Sequence, residues 1–130
     1  MTTKAQAIKW INNSLGKSYD FDGHYGAQCF DYINEYAYRN FGVSFSGLGA
    51  IDLQTTGVKG GFTKQSTPQI GDIFVASSIY GKYGHTGIVV GIEKTGLWVF
   101  DQNSQGKLDP VKKNFYKFGA GQPYQFKCYL

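Results

Sequence analysis

The stretch DFDGHYGAQCFD, residues 20–31, gathers three aspartates, a histidine and a cysteine in a chain that is otherwise basic and poor in acids. Cys29 opens an amphipathic segment, so it falls in the first turn of a predicted helix. The partial positive charge of a helix N-terminus favours a reactive sulfur there. Taken alone, Cys29 reads more readily as a buried structural thiol. A nucleophilic cysteine needs a base, and the chain has two histidines. His24 lies in the acidic loop, where aspartates compete for its proton. His85 opens the run HTGIVVG after the turn-forming GKYG, and period-two alternation puts His85, Gly87, Val89 and Gly91 on one face, with two glycines leaving room for a close neighbour. Farther on, LWVFDQN places Asp101 and Asn103 on one face and Trp98, Phe100 and Gln102 on the other. An acid and an amide two residues apart, beside a base, would hold an imidazole in its working tautomer. At a strand end the same pair is also a natural turn former.

The acidic loop has a second reading. Counted from Asp20 as position one, oxygen donors fall at one (Asp20), three (Asp22), five (the His24 carbonyl), seven (the Gly26 carbonyl) and twelve (Asp31), the spacing by which a helix-entering loop wraps calcium. Glycine stands at position four instead of six and the last donor is Asp instead of Glu, so this is not an EF-hand but a loop suited to a similar ligation. Hard oxygen donors select Ca²⁺, in a structural role. The alternative is a solvated acidic turn with Asp31 as a favourable helix-start charge.

These residues need a frame. Thr2 or Thr3 caps a predicted first helix through Ala5, Ile8, Ile11 and Leu15, ending near Gly16. Phe30, Ile33, Tyr36, Ala37 and Phe41 predict a second from about Ala27 to Asn40, closed by Gly42. A short helix is expected over Ala50 to Thr55, then a flexible loop GVKGGF. From Gly71 the pattern turns to strands in DIFVAS, HTGIVVGIE, LWVFDQN and YQFKCYL. Helices followed by antiparallel strands give an α+β class. For His85 and Asp101 to share a face, the residue numbers paired across their hairpin must sum to an even value. An odd-length turn, Lys94 to Gly96 with Gly96 left-handed, is expected to supply this.

The 130 residues fit a single domain, 1–130, with 42% apolar and 17% aromatic residues to build a core. No run approaches the roughly 20 apolar residues of a spanning helix, and the start MTTKAQAIKW lacks the apolar stretch of a signal peptide, so neither a membrane nor classical secretion is expected. Twelve of the thirteen basic residues are lysine and Arg39 is the sole arginine, which disfavours nucleic acid as a partner. The net charge of +4 suits an anionic polymer such as a bacterial wall, and equally ordinary solubility. Cys128, in the alternation YQFKCYL, is expected to be a small buried strand residue and not the disulfide partner of Cys29.

Taken together, DFDGHYGAQCFDYIN around Cys29, GDIFV and YGHTGIVVG around His85, and VFDQN ending at Asn103 resemble the CHAP domain, a cysteine- and histidine-dependent amidohydrolase/peptidase of the papain-like superfamily found in phage endolysins. The resemblance covers nearly the whole chain. It implies a papain-like α+β fold related to NlpC/P60 domains, with N-terminal helices packed on an antiparallel sheet. It also implies Cys29 as nucleophile and His85 as base, oriented by Asp101 with Asn103; Asp101 stands where the family commonly has the Glu of an EQN motif. Gln28 would neighbour the oxyanion site, and some lysin domains of this family carry a calcium at the acidic-loop positions. The expected activity is peptidoglycan hydrolysis in the Gram-positive wall, as an endopeptidase. A muramoyl-alanine amidase of the same fold and an inactive calcium-dependent wall-binding module are the alternatives. The expected form is a monomer, either alone or within a longer lysin bearing a wall-binding domain, reaching the wall by a holin-type route or on a virion.

Overall fold

A computed structural model describes residues 3–20, 28–45, 49–103 and 110–130. Helix α1 spans Lys4–Ser14 and α2 spans Cys29–Phe41; a 3₁₀ turn, Ala50–Asp52, leads into α3, Leu53–Lys59. Five strands follow among the described residues: β1 Ile73–Ser78, β2 Gly81–Glu93, β3 Gly96–Asp101, β4 Lys112–Lys117 and β5 Tyr124–Tyr129. They form one sheet in the order β4-β3-β2-β1-β5, antiparallel throughout.

Local chemistry sets the helix ends. The Thr3 hydroxyl accepts the Gln6 N–H at 3.1 Å while the Gln6 side chain accepts the Thr3 N–H at 2.9 Å, a reciprocal cap that starts α1. Gly42 ends α2 at φ 71°, a left-handed position open to glycine at little cost. Between them Ala7 and Ile11 of α1 meet Tyr32, Ile33, Tyr36 and Ala37 of α2 over Ile73, Val75, Ile88 and Phe100 of the sheet. Burying a side chain such as Ile33, which is fully enclosed, contributes about 1.5–3 kcal/mol. Cys128 belongs to this same core, unbridged. Strand alternation sends Phe74, Ala76, Val89, Leu97 and Val99 to a second cluster with Tyr124 and Tyr129 on the other side of the sheet.

Three expectations need correcting. The short third helix continues to Lys59, so the first half of GVKGGF is helical and not loop. Gly57 packs against Leu130, where an added Cβ would come within 2.5 Å of a methyl carbon. Strand β4, KKNFYK, is additional to the strands expected from the sequence; it is an edge strand, where lysines discourage further pairing. Finally, the β2–β3 turn is not three residues. Glu93 pairs with Gly96 across a two-residue turn, Lys94 and Thr95, and Gly96 is not left-handed. A β-bulge at Val90 makes up the difference: the register moves between Val89↔Val99 and Gly91↔Trp98, so that pairs near the site again sum to an even value. Gly96 is glycine for another reason, since its Cβ would lie 2.3 Å from the Tyr116 carbonyl oxygen on β4.

Candidate active site

Cys29 is the first residue of α2 and is buried. Gln28, extended at φ −93° and ψ 164°, is the N-cap, and the Asp31 carboxylate accepts its backbone N–H at 3.0 Å. Asp31 is therefore a buried helix-start carboxylate in a place that suits the helix dipole. Asp20 lies exposed at the other end of the acidic segment. Asp22, His24 and Gly26 lie outside the described residues.

On the sheet, His85 pairs with Ala76 near the start of the β1–β2 ladder. It is only 3% exposed. Its ring stacks on Tyr124 at 4.6 Å and 22°, with Phe74 and Tyr116 at 5.8 and 6.2 Å. His85 Nε2 stands 2.6 Å from Asp101 Oδ2, so the aspartate reaches the imidazole despite its short side chain. Asp101 engages Nε2, which leaves Nδ1 as the other ring nitrogen, and Cys29 acts electrostatically on the ring. Burial alone would push the His85 pKa down. The interaction with Cys29, together with the hydrogen bond to Asp101 and its charge, outweighs it and raises the value from 6.5 to about 10. Its neighbours thus favour the protonated ring, with the Asp101 carboxylate at Nε2.

Gly87 makes this arrangement possible. A Cβ there would lie 2.6 Å from the Phe100 carbonyl oxygen, 2.7 Å from the Phe74 ring and 2.9 Å from Asp101 Cβ. The close neighbour for which the sequence left room is the aspartate itself. Asn103 stands beyond the end of β3 at φ 57°, a conformation asparagine tolerates better than most residues. The bond to His85 is made by Asp101.

Several residues at the site escaped the sequence reading. Asn114 Nδ2 donates to Asp101 Oδ1 at 2.8 Å, and the Tyr116 hydroxyl donates to Asp101 Oδ2. Both come from β4, where their i, i+2 spacing was the available signal. Gln102, assigned only to the face opposite Asp101, is fully buried. Its Oε1 accepts the Tyr19 N–H at 3.0 Å, and its Nε2 donates to the carbonyls of Tyr19 and Gln28, both at 2.6 Å. Chemically, a sulfur at a helix start, an imidazolium and a multiply bonded carboxylate form the set needed for acyl transfer to a thiol.

The family model for the CHAP domain matches residues 18–103, which include Cys29, His85, Asp101 and Asn103. The chain belongs to the CHAP domain family. Among curated proteins, this CHAP domain is 36% identical to "Probable autolysin PH" of Staphylococcus aureus, over 82% of this chain and 24% of that protein. Among solved structures it resembles the endolysin LysIME-EF1, with 27% identity, a TM-score of 0.80, and coverage of 98% of this chain and 64% of that one. Ly7917 shares the fold at a TM-score of 0.71 and 20% identity, over 98% of this chain and 62% of its own. The chain thus spans about a quarter of the curated relative's length and under two thirds of these structures. The α+β, papain-like fold of the CHAP domain is the one observed, helices on a five-stranded antiparallel sheet.

Proposed function

We propose that this CHAP domain is a peptidoglycan hydrolase that cleaves an amide bond of the Gram-positive wall through Cys29. The observation that carries the reading is the buried imidazole of His85, held at 2.6 Å by Asp101 and electrostatically coupled to Cys29 at the start of α2. Family membership and the autolysin and endolysin relatives support the substrate class. His85 takes the thiol proton of Cys29. The sulfur attacks the scissile carbonyl, and the oxyanion forms facing the Cys29 N–H at the helix start, with the Gln28 side chain nearby. His85 then gives its proton to the departing amine as the C–N bond breaks, leaving a thioester. Water, deprotonated by His85, attacks the thioester and releases the acid and the thiol. Asp101, held by Asn114 and Tyr116, keeps the imidazole aimed throughout.

We further read the acidic loop as a structural calcium site. Its donors are carboxylates and carbonyls, hard oxygens matched to Ca²⁺, drawn from Asp20, Asp22, His24, Gly26 and Asp31. A bound cation would neutralise the carboxylates of the segment that enters α2, and no chemical step is assigned to it.

The bond is read as a peptide bond, making the domain an endopeptidase that acts within a longer lysin. Mass spectrometry of digested walls tests this. A new amine on glycine or alanine is the expected product. A freed muramoyl lactyl group would assign an amidase, and fragments identical to those from Cys29→Ala would leave only a wall-binding module.

A further inference from the structure

We propose that Gln102 is a positioning residue for the oxyanion donor: by holding the Gln28 carbonyl it fixes the plane of the 28–29 peptide and so the direction of the Cys29 N–H. The inference rests on Cys29 being the nucleophile. A peptide unit is planar and trans, so its C=O and N–H point in opposite directions and neither turns without the other. The Gln28 carbonyl already accepts the Asp31 and Tyr32 N–H groups, at 3.1 and 3.3 Å, as the first turn of α2 requires. Gln102 Nε2 adds a third donor, at 2.6 Å and shorter than either. The Cys29 N–H therefore points off the helix end along a fixed line.

Gln102 can do this because it is itself immobilised. Its amide spends the remaining donor and its acceptor on the two backbone groups of Tyr19, in the manner of a strand pair. The Tyr19 ring is set against Tyr32 at 5.8 Å and Trp10 at 5.7 Å. Asp101 and Gln102 are thus consecutive residues that point to opposite sides of one chain. The first aims the imidazole, and the second aims the amide that would receive the developing charge. A helix cap would hold α2 in place, but would not by itself call for a buried side-chain amide from a different element on this one carbonyl.

The test uses two reactions of the same sulfur. Alkylation by iodoacetamide needs the Cys29–His85 pair but forms no oxyanion, whereas amide hydrolysis needs both. In Gln102→Ala, the lytic kcat on purified Gram-positive walls should fall about 10- to 100-fold, somewhat less than the loss of a whole oxyanion donor. Apparent KM and the rate and pH profile of Cys29 alkylation should stay within about twofold. Should Gln102→Ala fail to unfold cooperatively, Gln102→Met takes its place; it preserves the approximate size while removing both donors. Unchanged lysis in a folded variant overturns the inference. Parallel loss of lysis and alkylation also overturns it, because Gln102 would then hold the whole helix start. A wild-type chain that neither clears walls nor alkylates at Cys29 ahead of Cys128 refutes the underlying reading instead.

Discussion

Replacing Cys29 with alanine should change the titration of a different residue. Of the four influences that raise the His85 pKa, the largest is the charge on Cys29 and the third is its hydrogen bond; the other two come from Asp101. Burial acts in the opposite direction and remains in the variant. An opposite charge at contact moves a titration by about 1–3 pH units, so Cys29→Ala should bring the His85 midpoint down from about 10 by that much. The sign for stability follows from linkage. A group whose folded pKa is raised contributes stability that is complete below its unfolded value, near 6.5, and is lost as pH rises through its folded value. Wild-type protein should therefore surrender the His85 contribution between about pH 6.5 and 10, and Cys29→Ala should surrender a smaller one over a narrower window. The assay is NMR of labelled histidine side chains from pH 5 to 11, with His24→Gln to assign the signals. A wild-type midpoint near 6.5, or one unmoved by Cys29→Ala, would refute the coupling and with it the imidazolium–sulfur pair.

Other consequences are accessible to simpler measurements. Tyr116→Phe preserves the ring beside Tyr124 but removes a donor from a buried carboxylate, which should cost roughly 1.5–3 kcal/mol in urea unfolding and slow lysis; an unchanged unfolding midpoint would contradict this. Gly87→Ala should destabilise by about 1–3 kcal/mol and inactivate, since the new methyl meets a carbonyl oxygen and the Asp101 side chain within 3.0 Å; a variant with wild-type stability and lysis would show that the strands part easily. Thorough chelation should lower both melting temperature and lytic rate, by up to about 2.7 kcal/mol if Ca²⁺ had been present at a hundredfold excess over Kd. Calcium should restore both and magnesium less so, whereas metal-free protein with unaltered melting would return the acidic loop to a solvated turn.

Much of the frame was legible because it depends on local pattern. Thr3 and Gly42 mark helix ends by their own backbone and hydrogen-bond chemistry, and Ile33, Tyr36 and Ala37 mark a face by spacing alone. The pairing of His85 with Asp101 was also legible as a requirement that both lie on one face. How the chain meets that requirement was not. A turn of two or three residues around Lys94–Thr95 fits the sequence equally well, and the Val90 bulge depends on strand packing beyond the reach of a local pattern. Strand β4 was hidden for a different reason. Its lysines reflect its place at the sheet edge, which is a tertiary fact, and with the strand went Asn114 and Tyr116, two of the groups that hold Asp101. Gln102 was read by strand alternation as a face position, and only the fold brings Tyr19 and Gln28 to its amide.

The enclosure of His85 also governs how protons travel. Asp101 occupies Nε2, Tyr124 covers a ring face, Phe74 and Tyr116 stand close by, and almost none of the residue meets solvent. Among the described residues, the way in or out for a proton is the side on which Cys29 stands. Dissolved buffer would not readily load or unload such a base; under the proposed mechanism, the departing amine would carry one proton out and the incoming water would bring the next one in. Turnover would then be indifferent to buffer concentration at fixed pH, and the substrate itself would complete the path along which its own cleavage is discharged.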